Sequence, residues 1–200
     1  MPTQDDNFSG ANCYIAVNPT RRFYLYGTDP EEIDIKDIAN AISKQVRWTG
    51  HLVGNCWYSV AEHCILVQDI VRHLGGDIEI QYAALMHDSP EAYLADIAAP
   101  FKRELKSYYE KEELIWKRIA AKYHLPETIP ELVKRADWLA LFVEARFMVT
   151  DMPEMKQWVG WDKYGEEAFS LPHIPWMLTH GEARNMFLNR FNRLWTALNG

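Results

Sequence analysis

Hydrophobic and polar positions along this chain follow two rhythms, a short extended one at the start and a helical one through the rest. Cys13-Tyr14-Ile15-Ala16-Val17 and Phe23-Tyr24-Leu25-Tyr26 are β-rich runs on either side of an Asn18-Pro19-Thr20 turn, and they predict a hairpin within residues 1–30. Behind an Asp34 cap, Ile35, Ile38, Ala39 and Ile42 recur at helical spacing, predicting a helix that runs toward Arg47. After Ser59, the residues Val60, Cys64, Val67, Val71 and Leu74 step by four and three until Gly75-Gly76 supplies a stop. Asp77 then precedes Ile80, Ala83, Ala84 and Leu85, an almost wholly apolar helix expected in the middle of the fold and ending at His87-Asp88. Proline suits a first helical position and the residue before it avoids helical geometry, so a break and a new short helix from Pro90 to about Asp96 are expected.

Longer amphipathic patterns cover Lys102 to Tyr123 and Glu131 to Val149, with a loop marked by Pro126 and Pro130 between them. The second pattern turns Leu132, Ala136, Leu139, Val143 and Phe147 inward. Residues 151–180 are rich in Pro and Trp with weak periodicity, and Ala183, Phe187, Phe191, Leu194 and Leu198 mark a final helix. No repeat, low-complexity tract or linker interrupts the pattern. The reading is therefore a single, mainly α domain over residues 1–200, a helical bundle with a short N-terminal β-hairpin, closed by a Trp/Pro-rich loop and C-terminal helix at 151–200.

Composition narrows the partners. The chain has 48% hydrophobic, 13% aromatic and 24% charged residues, which excludes a disordered chain. Lys+Arg number 21 against 28 Asp+Glu, a net charge of -7, which argues against a duplex nucleic-acid partner but not against one small phosphate ester, since that needs only a few local cations. Cys13, Cys56 and Cys64 lack C-x-x-C spacing, the opening MPTQDDNFSG lacks the charged start and apolar run of a secretory signal, and no apolar stretch approaches the ~20 residues of a membrane span. These features lead to the expectation of a soluble cytoplasmic protein with free thiols and no membrane contact.

Charged groups seldom belong inside a helix bundle, so acids and imidazoles embedded in apolar helices mark the places to look for chemistry. His63 lies on the clearest helix, His87 and Asp88 end the most apolar one, and Asp137 lies between Ala136 and Ala140 on a third. Two imidazoles and two carboxylates make a mixed nitrogen and oxygen set suited to one divalent ion, Mn, Co, Fe, Ni or Zn, with Mg an option alongside substrate. Adjacent helical residues diverge by about 100°, so His87 and Asp88 can share an ion only at a helix end. A single buried His is more often a hydrogen-bonded core residue, and a His-Asp dipeptide by itself is weak. Glu91, three residues past Asp88, and Asp96 shift that balance, because they add negative charge that a cation would neutralise. His51 lies close enough in sequence to Arg47 to line the same pocket. Glu62, beside His63, is expected to point outward, and His73, His124, His173 and His180 lack acidic partners on apolar faces.

Five stretches carry a resemblance: Arg47-Trp48, Ser59-Val60-Ala61-Glu62-His63, Leu85-Met86-His87-Asp88-Ser89-Pro90-Glu91, Asp96-Ile97-Ala98-Ala99-Pro100-Phe101-Lys102 and Val133-Lys134-Arg135-Ala136-Asp137. In this order, between about residues 20 and 150, they resemble the successive motifs of HD-domain metal-dependent phosphohydrolases, in the pattern of the 5'-deoxynucleotidase branch and its phage-type relatives, which include a dATP triphosphohydrolase. The resemblance implies an HD-domain fold with metal ligands at His63, His87, Asp88 and Asp137, the same four residues reached above. It implies a catalytic acid at Glu91, a sugar-side carboxylate at Asp96, and a pair embracing phosphate and deoxyribose at Arg47 and Trp48. Lys102, in a Pro-x-Lys element, is a further phosphate-binding candidate. Two departures stand out: Pro90 is placed to redirect Glu91 relative to the dyad, and residues 151–180 have no counterpart.

The activity so implied is removal of phosphate from deoxyribonucleoside 5'-monophosphates by water activated at one divalent ion, with Arg47 clamping the phosphate and Glu91 managing the proton. Trp48 would stack on sugar or base, and Asp96 would accept from the 3'-hydroxyl. A rival within the same chemistry hydrolyses a deoxynucleoside triphosphate to nucleoside and triphosphate, drawing on Lys102 with Arg103 or Lys134. A different class is a catalytically silent nucleotide-binding regulator that uses residues 151–180 as a partner surface. The expected partner is a small-molecule nucleotide, and aromatic positions near the C-terminus leave a homodimer open.

Overall fold

The computed structural model describes residues 13–149 and 152–200; the first twelve residues of the expected lead-in lie outside them. Strands β1 (Tyr14–Asn18) and β2 (Arg21–Tyr24) pair antiparallel, Tyr14 opposite Tyr24 and Ile15 opposite Phe23, with a bulge between Ala16 and Asn18. Asn18 Oδ1 accepts from the backbone N–H groups of Thr20 and Arg21, so its side chain rather than a glycine closes the turn. Of the hairpin only Phe23 is buried, stacked on Tyr93 with ring centroids 3.9 Å apart.

Helix α1 (Ile35–Ile42) starts where expected, with the Asp34 carboxylate accepting from Lys36 N–H. It stops five residues short of Arg47. The backbone there pairs across the fold instead: Val60 N–H donates to Gln45 O and Arg47 N–H donates to Tyr58 O, and this tertiary pairing outcompetes local helix propensity. Helix α2 (Val60–His73) follows, opened by a capping box in which Ser59 and Glu62 satisfy each other's backbone N–H groups. Every residue from Val60 to Val71 is buried, so α2 is the axis of the domain, and Gly75 at φ +79 turns the chain away from it. Glu62 does not point outward as expected. Its Oε1 accepts from Leu178 N–H at 2.8 Å, so the incoming C-terminal segment buries it.

Helix α3 (Ile78–Met86) is capped by Asp77 and leads through tight turns into α4 (Glu91–Leu94), shorter than the expected Pro90–Asp96 because Ala95 adopts φ +68. The expected helix from Lys102 to Tyr123 divides into α5 (Ala99–Lys102), with Pro100 in its first turn, and α6 (Lys106–Tyr123). Helix α7 (Glu131–Met148) buries Val133, Ala136, Leu139, Ala140, Val143 and Met148. Phe147 is 41% exposed, contrary to expectation, while its neighbour Met148 takes the buried position. Leu132 and Leu198 are only partly buried.

The Trp-rich segment folds back on α7 through α8 (Met152–Met155), a five-residue π turn at Trp161–Gly165 and α9 (Glu166–Ser170). Trp161 meets Phe142 edge-on, and the Arg146 guanidinium donates to the carbonyls of Phe169, Leu171 and His173. Thr179 then caps the closing helix α10 (His180–Asn199), whose Ala183, Phe187, Phe191 and Leu194 pack inward. Helix α2 lies against α3, α7 and α10, and the buried residues from Phe23 to Leu194 form one core. Cys13, Cys56 and Cys64 form no disulfide. No described helix is long and apolar enough to cross a membrane.

Candidate metal centre

The two helices that flank the axis deliver acids to the imidazole it carries. His63 comes from the second turn of α2 and is fully buried. His87 and Asp88 follow the last residue of α3, where the helix loosens and both side chains can turn to one side. Asp137 comes from α7. The structure brings these four together. His63 Nε2 lies 3.4 Å from Asp88 Oδ2 and 3.0 Å from Asp137 Oδ1, while His87 Nε2 lies 3.3 Å from Asp88 Oδ2 and 4.0 Å from Asp137 Oδ1.

The other nitrogen of each ring fixes its orientation. His87 Nδ1 donates to Ala84 O at 2.8 Å, and His63 Nδ1 donates to Glu144 Oε1 at 2.6 Å. Both acceptors demand a proton on Nδ1, so each neutral ring presents its lone pair at Nε2. Those two Nε2 atoms are buried and without a hydrogen-bond partner, facing carboxylate oxygens. Lone pairs facing lone pairs repel unless a proton or a cation lies between them. The ligand atoms of His63, His87 and Asp88 all lie within 4.8 Å of one another, close to what an ion with bonds of about 2.0–2.2 Å requires. The donor chemistry thus fits a divalent ion. Side-chain exposure rises from 0% at His63 through 19% at Asp88 to 45% at Asp137, so the cluster opens to solvent on the Asp137 side.

The electrostatics make the same demand for positive charge. Burial opposes protonation of both imidazoles, yet Glu144 and Asp137 raise the pKa of His63 and Asp88 raises that of His87. Burial also works against ionised Asp88, but His87, His63 and Arg47 hold its pKa far below the usual carboxylate range.

Beside the cluster, Glu91 is 4% exposed with one carboxyl oxygen lacking a partner. Pro90 does not divert it. Glu91 N–H donates to Asp88 O at 3.0 Å, and this tight turn keeps Glu91 next to the dyad. Burial pushes the Glu91 carboxyl well above its ordinary range, with Asp88 and Asp96 adding to the effect. Asp96, half-buried, is likewise raised by burial. Gln45 joins the two, its amide donating to Glu91 O at 2.8 Å and accepting from Asp96 N–H at 3.0 Å.

Arg47 stands 3.9 Å from Asp88 Oδ2 through Nη1, and its Nε donates to Glu144 Oε2 at 3.1 Å. Trp48 Nε1 donates to the same oxygen at 3.2 Å. Lys102 is engaged with Glu112 at 2.5 Å and lies over the Tyr108 ring, so part of its charge is already committed. His51 does not join the site. Trp48, Thr49 and Gly50 all have positive φ, and this turn carries the chain outward, leaving His51 exposed with no hydrogen bond or ion pair to the cluster among the described residues.

Glu144, Gln45 and Glu112 were not among the sequence candidates. Glu144 had a legible signal: it stands seven residues after Asp137, two helical turns along the same face, between the apolar Val143 and Ala145. Gln45 and Glu112 had none, since both act through partners distant in sequence.

No protein-family model matches the chain. It is 38% identical over 182 residues to the uncharacterized protein YfdR of Escherichia coli K12, an alignment covering 90% of this chain and 95% of that one. A second uncharacterized relative, from Rhodobacter capsulatus, is 36% identical over 129 residues, covering 63% of this chain and 66% of its own.

Proposed function

We propose that this chain, which belongs to the family of the Escherichia coli protein YfdR, is an HD-type metal-dependent phosphohydrolase that removes phosphate from deoxyribonucleoside 5'-monophosphates. One observation carries the reading: two buried imidazole Nε2 atoms, free of hydrogen bonds, face the carboxylates of Asp88 and Asp137. The motif resemblance in the sequence supplies the substrate class.

His63, His87, Asp88 and Asp137 would hold a divalent ion, which supplies a Lewis acid able to lower the pKa of water from about 15.7 toward about 7. The remaining work belongs to the chain. Arg47 is already anchored through Nε, so its two Nη groups are the ones left to grip phosphate oxygens, in the planar fork that suits them. Glu91, held in its protonated form by burial and by Asp88 and Asp96, is suited to give its proton to the leaving 5'-oxygen as the P–O bond breaks, yielding the nucleoside alcohol. Asp96 can accept from a sugar hydroxyl, and Trp48 offers an indole face to sugar or base.

The engagement of Lys102 by Glu112 favours monophosphate over triphosphate, because a triphosphate needs more uncommitted cations around it. The test is to incubate the purified chain with deoxy- and ribonucleotides, mono- and triphosphates alike, under Mn, Co or Mg and to identify the product. Orthophosphate from deoxyribonucleoside monophosphates is the expected result. Triphosphate as product would move the assignment to the triphosphohydrolase reading, and nucleotide binding without turnover under any ion would make the chain a regulator.

A further inference from the structure

We propose that Glu144 is a positioning residue that couples the metal ligand His63 to the substrate-side pair Arg47-Trp48, so that filling one half of the site strengthens binding at the other. The proposal rests on the functional reading of those three residues given above. Its carboxylate is fully buried and shared: Oε1 accepts from His63 Nδ1 at 2.6 Å, while Oε2 accepts from Arg47 Nε at 3.1 Å and from Trp48 Nε1 at 3.2 Å. Three donors from two separate parts of the chain, α2 and the turn at 47–50, thus converge on one group from α7.

Glu144 is fully buried, so the carboxylate cannot release one donor without leaving a buried charge less satisfied. The ring orientation of His63 and the position of the Arg47-Trp48 turn are therefore set by the same two oxygens. The turn needs such an anchor, because Trp48 and Thr49 hold φ of 59° and 49°, a region that side-chain-bearing residues occupy at a cost. A ligand that draws the turn into place also fixes Glu144 against His63, and the effect must be reciprocal.

The experiment is equilibrium dialysis of Co2+ with the full chain, in the presence and absence of each of the four 2'-deoxynucleosides. These probes carry no phosphate to bind the ion themselves. In the wild-type chain one or more nucleosides should tighten Co2+ binding about fivefold. In Glu144→Gln, whose amide cannot accept from all three donors, Co2+ affinity should fall about 10–100-fold and the nucleoside effect should vanish. Circular dichroism of the variant reports whether it folds; should it not, the wild-type measurement alone decides. Co2+ binding that no nucleoside alters, or that keeps its nucleoside effect in Glu144→Gln, overturns the coupling while leaving the metal centre standing. A wild-type chain that binds no Co2+ overturns the metal centre itself.

Discussion

Trp158 packs its indole against that of Trp48, with ring centroids 5.8 Å apart and the planes inclined at 39°. The Trp-rich segment, which has no counterpart in the motif pattern, therefore bears directly on the side chain expected to meet the nucleotide. Aromatic pairs of this kind contribute about 0.5–1.5 kcal/mol beyond area burial. Replacing Trp158 by Leu should raise KM for the nucleotide roughly 3–10-fold, leaving kcat and Co2+ affinity close to wild type. Steady-state kinetics with parallel metal titration checks this.

Glu91→Gln should lower kcat by about 10²–10⁴ while sparing metal content and KM. Because burial, with Asp88 and Asp96, favours the neutral form of the Glu91 carboxyl, a neutral amide of the same size should replace it with little loss of stability. Phosphate-release kinetics and metal analysis on the same preparation separate a lost proton donor from a lost site.

Helices α2 and α10 are pinned by a bidentate pair, Arg190 Nη1 to Asp69 Oδ1 at 2.7 Å and Nη2 to Asp69 Oδ2 at 3.0 Å, with Asp69 6% exposed. Asp69→Ala leaves the partly buried Arg190 guanidinium with only Gln68 Oε1 to accept from it, and should destabilise the fold by about 1–3 kcal/mol. The double variant Asp69→Ala, Arg190→Ala should cost less than the two single changes added together. Urea unfolding of the four proteins measures the cycle.

His173 lies edge-on to His73 with ring centroids 5.3 Å apart, and its Nδ1 is buried without a partner. Burial lowers its pKa, and the neighbouring His73 adds to the effect. The unfolded chain therefore takes up a proton near the ordinary imidazole value of about 6.5 before the folded chain does. Its contribution to stability is full above that pH, declines as pH falls through it and levels once the folded ring is also protonated. The difference in thermal stability between the wild-type chain and His173→Asn, measured from pH 8 to 5, should follow this decline.

The helices whose caps and apolar repeats agree, α2, α3 and α10, were legible because Ser59, Asp77 and the Ala183–Phe187–Phe191 stripe each act within a turn or two of the residues they serve. The C-terminal end of α1 and the division at Lys102–Lys106 were not, because pairing of residues 45–47 with 58–60 and the pairing of Lys102 with Glu112 join parts of the chain that local pattern does not relate. The same distinction runs through the site. His63, His87, Asp88 and Asp137 are conspicuous as polar residues on apolar helices. His51 was misplaced because three consecutive residues at positive φ reverse the chain, and only glycine announces such a conformation in sequence.

The most direct test adds Co2+ stepwise to metal-stripped protein and records orthophosphate release from a deoxyribonucleoside 5'-monophosphate. Turnover should be absent without the ion, rise in proportion to loading and break at one ion per chain, and His87→Gln should abolish the rise. No turnover at any loading, or a rise that His87→Gln leaves intact, would contradict a phosphohydrolase built on these imidazoles and carboxylates.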